Sequence, residues 1–132
     1  MTNIFDRVKA LELPKREYVI IGGAVMEALG LRLAGDIDIA VTRRLHKQLR
    51  ATGEWDEVEL YGKIFLQKDG IEINPEVSWP GFSKSTEEII AEAIMIEGVP
   101  FMNLRHLREF KQALGREKDL KDLTLLDGYE KV

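Results

Sequence analysis

Asp36 and Asp38 stand two residues apart in the run Asp36-Ile37-Asp38-Ile39, shortly after the pair Gly22-Gly23. In an extended strand, side chains alternate between faces and the backbone rises about 3.3 Å per residue, which puts two such carboxylates on one face roughly 6–7 Å apart. A pair of this kind holds one divalent cation between its oxygens, or shares two. Ile37 and Ile39 point the other way and can seat the strand in a core. The chemistry this suggests is metal-assisted phosphoryl transfer.

The rest of the chain must supply a scaffold for that pair. With 132 residues, 45% hydrophobic and 32% charged, the composition fits one soluble domain spanning 1–132. The formal net charge of −4 argues against broad polyanion binding, which needs a basic stripe, but leaves room for a local basic pocket. The chain has no cysteine, which excludes disulfides, thiolate metal sites and a cysteine nucleophile. No apolar run is long enough to span a bilayer, so no membrane partner is expected. The start, Met1-Thr2-Asn3-Ile4-Phe5-Asp6, lacks the basic and apolar regions of a signal peptide, so a cytoplasmic location is expected.

Apolar spacing predicts a helix over 3–11, with Asn3 as N-cap and Pro14 beyond its end. Tyr18-Val19-Ile20-Ile21 reads as a buried strand that Gly22-Gly23 breaks. A helix is expected over 24–31, a second strand over 36–41, and a helix over 43–51 between Thr42 and Gly53. Short strands come next at 58–61, 63–67 and 71–74, with Lys68-Asp69-Gly70 as a hairpin turn. Residues 75–86 read as a loop anchored by Trp79 and Phe82. Residues 87–102 read two ways: 87–93 suits a helix, yet Ile94-Met95-Ile96 before Glu97-Gly98-Val99 suggests another hairpin. Asn103 caps a helix over 104–114 that Gly115 ends, and a last helix spans 117–126. The expected fold class is α/β (α+β): a mixed, mainly antiparallel sheet flanked by helices, with helices at the C-terminus.

Gly22-Gly23-Ala24-Val25, Leu29, Arg32 and Asp36-Ile37-Asp38-Ile39, followed late in the chain by Lys111 and Gly115-Arg116-Glu117-Lys118-Asp119-Leu120-Lys121-Asp122, form a pattern that resembles the nucleotidyltransferase superfamily, the fold of DNA polymerase beta. The likeness is to its small bacterial and archaeal members, both minimal nucleotidyltransferases and abortive-infection toxins. It implies a third metal carboxylate on a later strand, for which Glu72 in Ile71-Glu72-Ile73 is the best match. This chain departs from the usual pattern at three points. It has Gly22-Gly23 where Gly-Ser is common, Ala34 where many relatives have Thr, and a Glu at position 72 where Asp is usual.

The resemblance implies that a nucleoside triphosphate, with ATP the expected donor, lies across Gly22-Gly23. There the missing Cβ atoms let backbone N–H groups near the phosphates, beside the positive end of a helix. Asp36, Asp38 and Glu72 would hold magnesium or manganese, and a nucleoside monophosphate would pass to a hydroxyl of RNA, protein or a small molecule. Arg32 and Lys111 would reach phosphate oxygens, Arg32 as a fork. Arg116 and Lys118 would either do the same or pair with Asp119 and Asp122 to clip the last helix, the second use being preferred for the two aspartates. A partner protein or second copy could complete so small a site.

Each of these residues also has a plainer reading. Asp36 and Asp38 can be a charged strand edge, Gly22-Gly23 a simple strand-to-helix turn, Glu72 a hairpin surface residue and Lys111 a solvated helix position. His46 and His106 are read as exposed and structural, respectively. The basic run Arg43, Arg44, Lys47 and Arg50 is read as a solvated face, and Trp55, Trp79, Phe82 and Phe101 as core or loop anchors. From another functional class, the chain can be a decayed module of a two-protein, toxin–antitoxin-like system that binds a nucleotide or a partner.

Overall fold

A computed structural model describes residues 3–130 of the chain; Met1 and Thr2 of the N-terminal stretch and the last two residues lie outside the described residues. The strands are β1 (Tyr18–Ile21), β2 (Ile37–Val41), β3 (Asp56–Leu60), β4 (Lys63–Lys68), β5 (Ile71–Asn74), β6 (Ile94–Ile96) and β7 (Val99–Phe101). They form one seven-stranded sheet in the order β3-β4-β5-β2-β1-β7-β6. Around it lie α1 (Ile4–Lys9), α2 (Gly23–Ala28), α3 (Arg43–Thr52), α4 (Thr86–Ala91), α5 (Leu104–Leu114) and α6 (Glu117–Glu130). The fold is mixed α/β. β2 runs parallel to β5 and β1 parallel to β7, and the other pairs are antiparallel.

The centre of the sheet is where the sequence is most apolar. All four residues of β1 are buried, and Ile39, Ala40, Val41, Ile73 and Phe101 are sealed from solvent. Burial on both faces matches an unbroken apolar run, as parallel-paired strands require. In β5 the pattern alternates, with Ile71 and Ile73 buried and Glu72 and Asn74 half-buried.

Helix starts follow the caps. Asn3, Thr42 and Asn103 each accept a bond from a backbone N–H in the first turn of the following helix, and Ser85 and Glu88 form a reciprocal capping box on α4. Gly53 and Gly115 end their helices in the left-handed conformation. The hairpin turns are Tyr61-Gly62, Asp69-Gly70 and Glu97-Gly98, and every one of these residues has positive φ. Two such residues in succession are what a type I′ turn requires.

Several boundaries differ from expectation. α1 ends at Lys9 and α2 at Ala28. In α2 the cap Leu29 is followed by Gly30 at φ 75°, which turns the chain early. The loop carrying Arg32 is longer for it. β2 begins at Ile37, so Asp36 precedes the strand. Tyr61, expected in a strand because aromatics favour strands, occupies a turn because Gly62 beside it completes one. Residues 87–102 give both alternatives in succession, α4 and then the β6–β7 hairpin. α6 runs on to Glu130. No helix among the described residues is long and apolar enough to cross a membrane.

Ile39 is fully buried at the centre of the sheet. Ile39→Ala should lower the unfolding free energy by about 2–5 kcal/mol in urea denaturation, while Met95→Ala on the exposed edge strand should change it by less than about 0.5 kcal/mol.

Candidate active site

A cleft of about 1040 Å³ opens over one face of the sheet, with Gly22, Asp36, Asp38 and Glu72 among its lining residues. The pairing of β2 with β5 builds its floor. Asp38 lies in register with Glu72, and the flanking Ile37 and Ile39 pair with Ile71 and Ile73. Those isoleucines are buried, so the alternation of a strand sends both carboxylates to the opposite face. On the other side of β2, Asp38 is in register with Ile21, the last residue of β1. Neighbouring strands lie about 4.8 Å apart, so the register sets two acids side by side.

The third acid sits differently. Asp36 is exposed, in the loop before β2, and aims at the cleft from its edge. Its carboxylate is still close enough to repel that of Asp38. Burial, together with the charges of Glu72 and Asp36, raises the Asp38 pKa from the ordinary 3.8 to about 7, against opposing pulls from Lys118 and Arg116.

Gly22 is the corner between β1 and α2. Its φ of 68° with ψ of −141° is a conformation that only glycine adopts at little cost. A Cβ there would stand 3.4 Å from Asp38 Oδ2. Gly23 has a different reason. A Cβ on it would come within 2.9 Å of an Arg32 guanidinium nitrogen, and that guanidinium is pinned.

The pin is Asp122. Arg32 Nε and one terminal nitrogen donate to the two Asp122 oxygens at 2.6 and 2.7 Å. Lys111 Nζ lies 2.7 Å from Asp122 Oδ2 and 3.5 Å from Asp119 Oδ1. Arg116 forks onto Asp119 at 2.6 and 3.2 Å, and its own backbone N–H donates to Asp119 Oδ2 at 3.2 Å. Lys111, Asp119 and Asp122 are all but sealed from solvent. Burial alone would raise the pKa of both aspartates, but bonds and charges from Arg116 and Lys111 hold Asp119 below the carboxylate range, and those from Arg32 and Lys111 do the same for Asp122. This cluster fastens α6 to α5 and to the loop after α2, and it forms the cationic wall facing Asp38.

Of the expected phosphate ligands, Arg32 and Lys111 therefore line the cleft with their charge already engaged by Asp122. Lys111 is a buried ion-pair residue, and the solvated reading is wrong because α5 packs its stem inward. The clip expected of Arg116 and Asp119 is present. The pairing of Lys118 with Asp122 is not, because Arg32 and Lys111 occupy that carboxylate. Lys118 is exposed, lines the cleft and acts on Asp38 through its charge. His46 Nε2 donates to the Ile64 carbonyl at 2.8 Å, and the ring is half-buried rather than exposed. His106 is buried beside Glu92. Neither histidine lines the cleft.

Reading the residues one by one misses Gln67 and Tyr61. Gln67 Nε2 donates to Glu72 Oε2 at 2.7 Å, and the two are cross-strand partners. The two-residue turn Asp69-Gly70 fixes that register, so the sequence does carry the signal. Tyr61 and Trp79 meet edge to face at the rim, with ring centroids 5.2 Å apart.

Among the described residues, no three acidic, histidine or cysteine side chains are close enough together to enclose a metal ion as they stand. One oxygen of Glu72 accepts from Gln67, and Asp36 lies on the loop before β2. The donors themselves are hard carboxylate oxygens crowded with like charge, which fits magnesium or manganese. Compared with protein-family profiles, curated proteins and solved structures, the chain matches none.

Both charge clusters make measurable contributions to stability. Asp122→Ala removes the nearer partner of buried Lys111 and the partner of Arg32, and should cost about 3–5 kcal/mol, read by chemical denaturation. Asp38 binds its proton more tightly folded than unfolded, so its contribution to stability is full below pH about 4 and is lost as pH rises through about 7. Asp119 and Asp122 act oppositely: their contribution is present at neutral pH and lost in acid. Without divalent cations at pH 8, Asp38→Asn should therefore stabilise the protein by about 1–3 kcal/mol, allowing for screening in an open cleft. The acid limb of the pH–stability curve should not change.

Proposed function

We propose that this protein is a metal-dependent nucleotidyltransferase, which moves a nucleoside monophosphate from a nucleoside triphosphate, ATP being the expected donor, to an acceptor hydroxyl. The observation that carries the reading is the register of Asp38 with Glu72 on adjacent parallel strands, beside the Gly22 corner and opposite Arg116 and Lys118. The nucleotidyltransferase-like fold belongs to the same reading. It is supported by the mixed sheet and by the order of the motifs along the chain.

Magnesium or manganese would be held by Asp36, Asp38 and Glu72, where it supplies charge neutralisation at the phosphates and acidifies the acceptor hydroxyl. The chain's own residues do the positioning. The Gly22-Gly23 corner admits a phosphate close to the backbone. Lys118 and the outer edge of Arg116 offer positive charge to the triphosphate, and Arg32 and Lys111 hold the wall that carries them. Catalysis of this kind is largely orientation and electrostatics. The acceptor is a hydroxyl of RNA, protein or a small molecule, and a second copy or partner protein would complete its binding surface.

One observation favours a second reading, a module that binds nucleotide or partner without turnover, as half of a toxin–antitoxin-like pair. Gln67 occupies one oxygen of Glu72, and among the described residues no three acids form a closed set. Incubation with each α-labelled triphosphate, magnesium or manganese, and a pool of RNA and protein decides between them. The transferase labels an acceptor, and Asp36→Asn with Asp38→Asn lowers labelling by at least about a thousandfold while the circular dichroism spectrum is kept. Nucleotide binding without any label transfer supports the module.

A further inference from the structure

The β3–β4 turn places a bulky aromatic where the backbone disfavours one. Tyr61 has φ 55° and is 75% exposed. Asp69 and Glu97 hold the equivalent place in the other two hairpins, and small polar residues, asparagine above all, suit it best. Strain of this sort persists where the surroundings or the function require it. Folding gives it no evident return, since the Tyr61 ring lies over the cleft and not in the core.

Its neighbour is fixed. Trp79 sits between Val77 and Phe82, both buried. The Val77 N–H donates to Thr86 Oγ1 at 3.1 Å, the Phe82 N–H to the Trp79 carbonyl at 2.8 Å, and the Phe82 ring meets Phe110 edge to face. Tyr61 then stands against Trp79 with the ring planes at 88°, so the two present a corner of aromatic surface. Along β4, the residue opposite Glu72 is Gln67 and the one nearest the turn is Lys63. At about 3.3 Å per residue the stretch of β4 from Gln67 to Lys63 covers roughly 13 Å, comparable to the length of an extended nucleoside monophosphate, with the acids at one end and the aromatic corner beyond the other. The Tyr61 hydroxyl is also within electrostatic reach of Arg116.

We infer that Tyr61 and Trp79 form the base-binding platform of the cleft, stacking the nucleobase of the donor nucleotide while its phosphates lie between the acids and Lys118. This rests on the nucleotidyltransferase reading and adds to it the place and the residues that hold the base. Stacking on such a platform does not by itself select a base, since every base has a π-face.

The test is tryptophan fluorescence and calorimetry with ATP, adenosine and tripolyphosphate, each with magnesium. Trp55 is buried, so Trp79 is the reporter. ATP and adenosine should quench emission, tripolyphosphate should bind without quenching, and Trp79→Phe should abolish the quench while Trp55→Phe keeps it. Tyr61→Asn creates the favoured turn, so it should hold or raise the melting temperature yet weaken ATP about tenfold and leave tripolyphosphate unchanged. Tyr61→Phe should restore ATP affinity, and Tyr129→Ala, an exposed tyrosine outside the cleft, should not alter it. ATP and tripolyphosphate binding alike, with no quench and no effect of Tyr61→Asn, overturns the platform and leaves the transferase reading standing. Quenching by a short single-stranded RNA but by no free nucleotide assigns the rings to an acceptor and overturns the donor assignment. Binding of neither ATP nor tripolyphosphate overturns both readings.

Discussion

The candidate site depends on one pairing, the parallel register of β2 with β5. Burial of Ile37, Ile39, Ile71 and Ile73 leaves Asp38 and Glu72 nowhere to point but into the cleft. With both ionised, two unit charges about 5 Å apart would repel by roughly 3 kcal/mol at an effective dielectric of about 20. A sheet formed for stability alone would not set them side by side, and the apolar contacts beneath must outweigh the repulsion. A one-residue slip of either strand would turn its own acid into the core, so the buried isoleucines hold the two acids together, and the repulsion is relieved by Asp38 keeping its proton up to about pH 7.

The opposite wall solves the reverse problem. Lys111, Asp119 and Asp122 are buried charges, which are tolerable only when paired with good geometry. Arg32 and Arg116 provide it as forks from the surface side. Three cations against two carboxylates leave this wall positive, facing a negative floor. Glycine at position 23 belongs to the arrangement, because a methyl group there would press on the Arg32 fork.

Much of this was legible in the sequence, and the failures have physical causes. The strands, the caps and the mixed sheet follow from apolar runs, Asn and Thr caps and X-Gly turns, all local signals. That Asp38 faces away from Ile37 and Ile39 was readable because strand alternation needs only neighbours, whereas Glu72 came from the resemblance alone and its place beside Asp38 from the folded sheet. Asp36 was expected on the strand but lies before it, since strand ends are fixed by pairing partners rather than by propensity. Arg32 and Lys111 look like phosphate ligands when taken singly, and only the folded chain reveals that Asp122 claims both. Tyr61 was read from its strand propensity, which the adjacent Gly62 overrode.

The fork between Arg32 and Asp122 joins residues 90 positions apart. Apolar faces can slide over one another, whereas a two-point ionic grip accepts a single alignment. During synthesis the chain emerges from its N-terminus onward, and the sheet carrying the acids can form before α6 exists. The cationic wall must wait for Asp119 and Asp122. The cleft is thus assembled in two instalments, and its second half is withheld until Asp119 and Asp122 have been made.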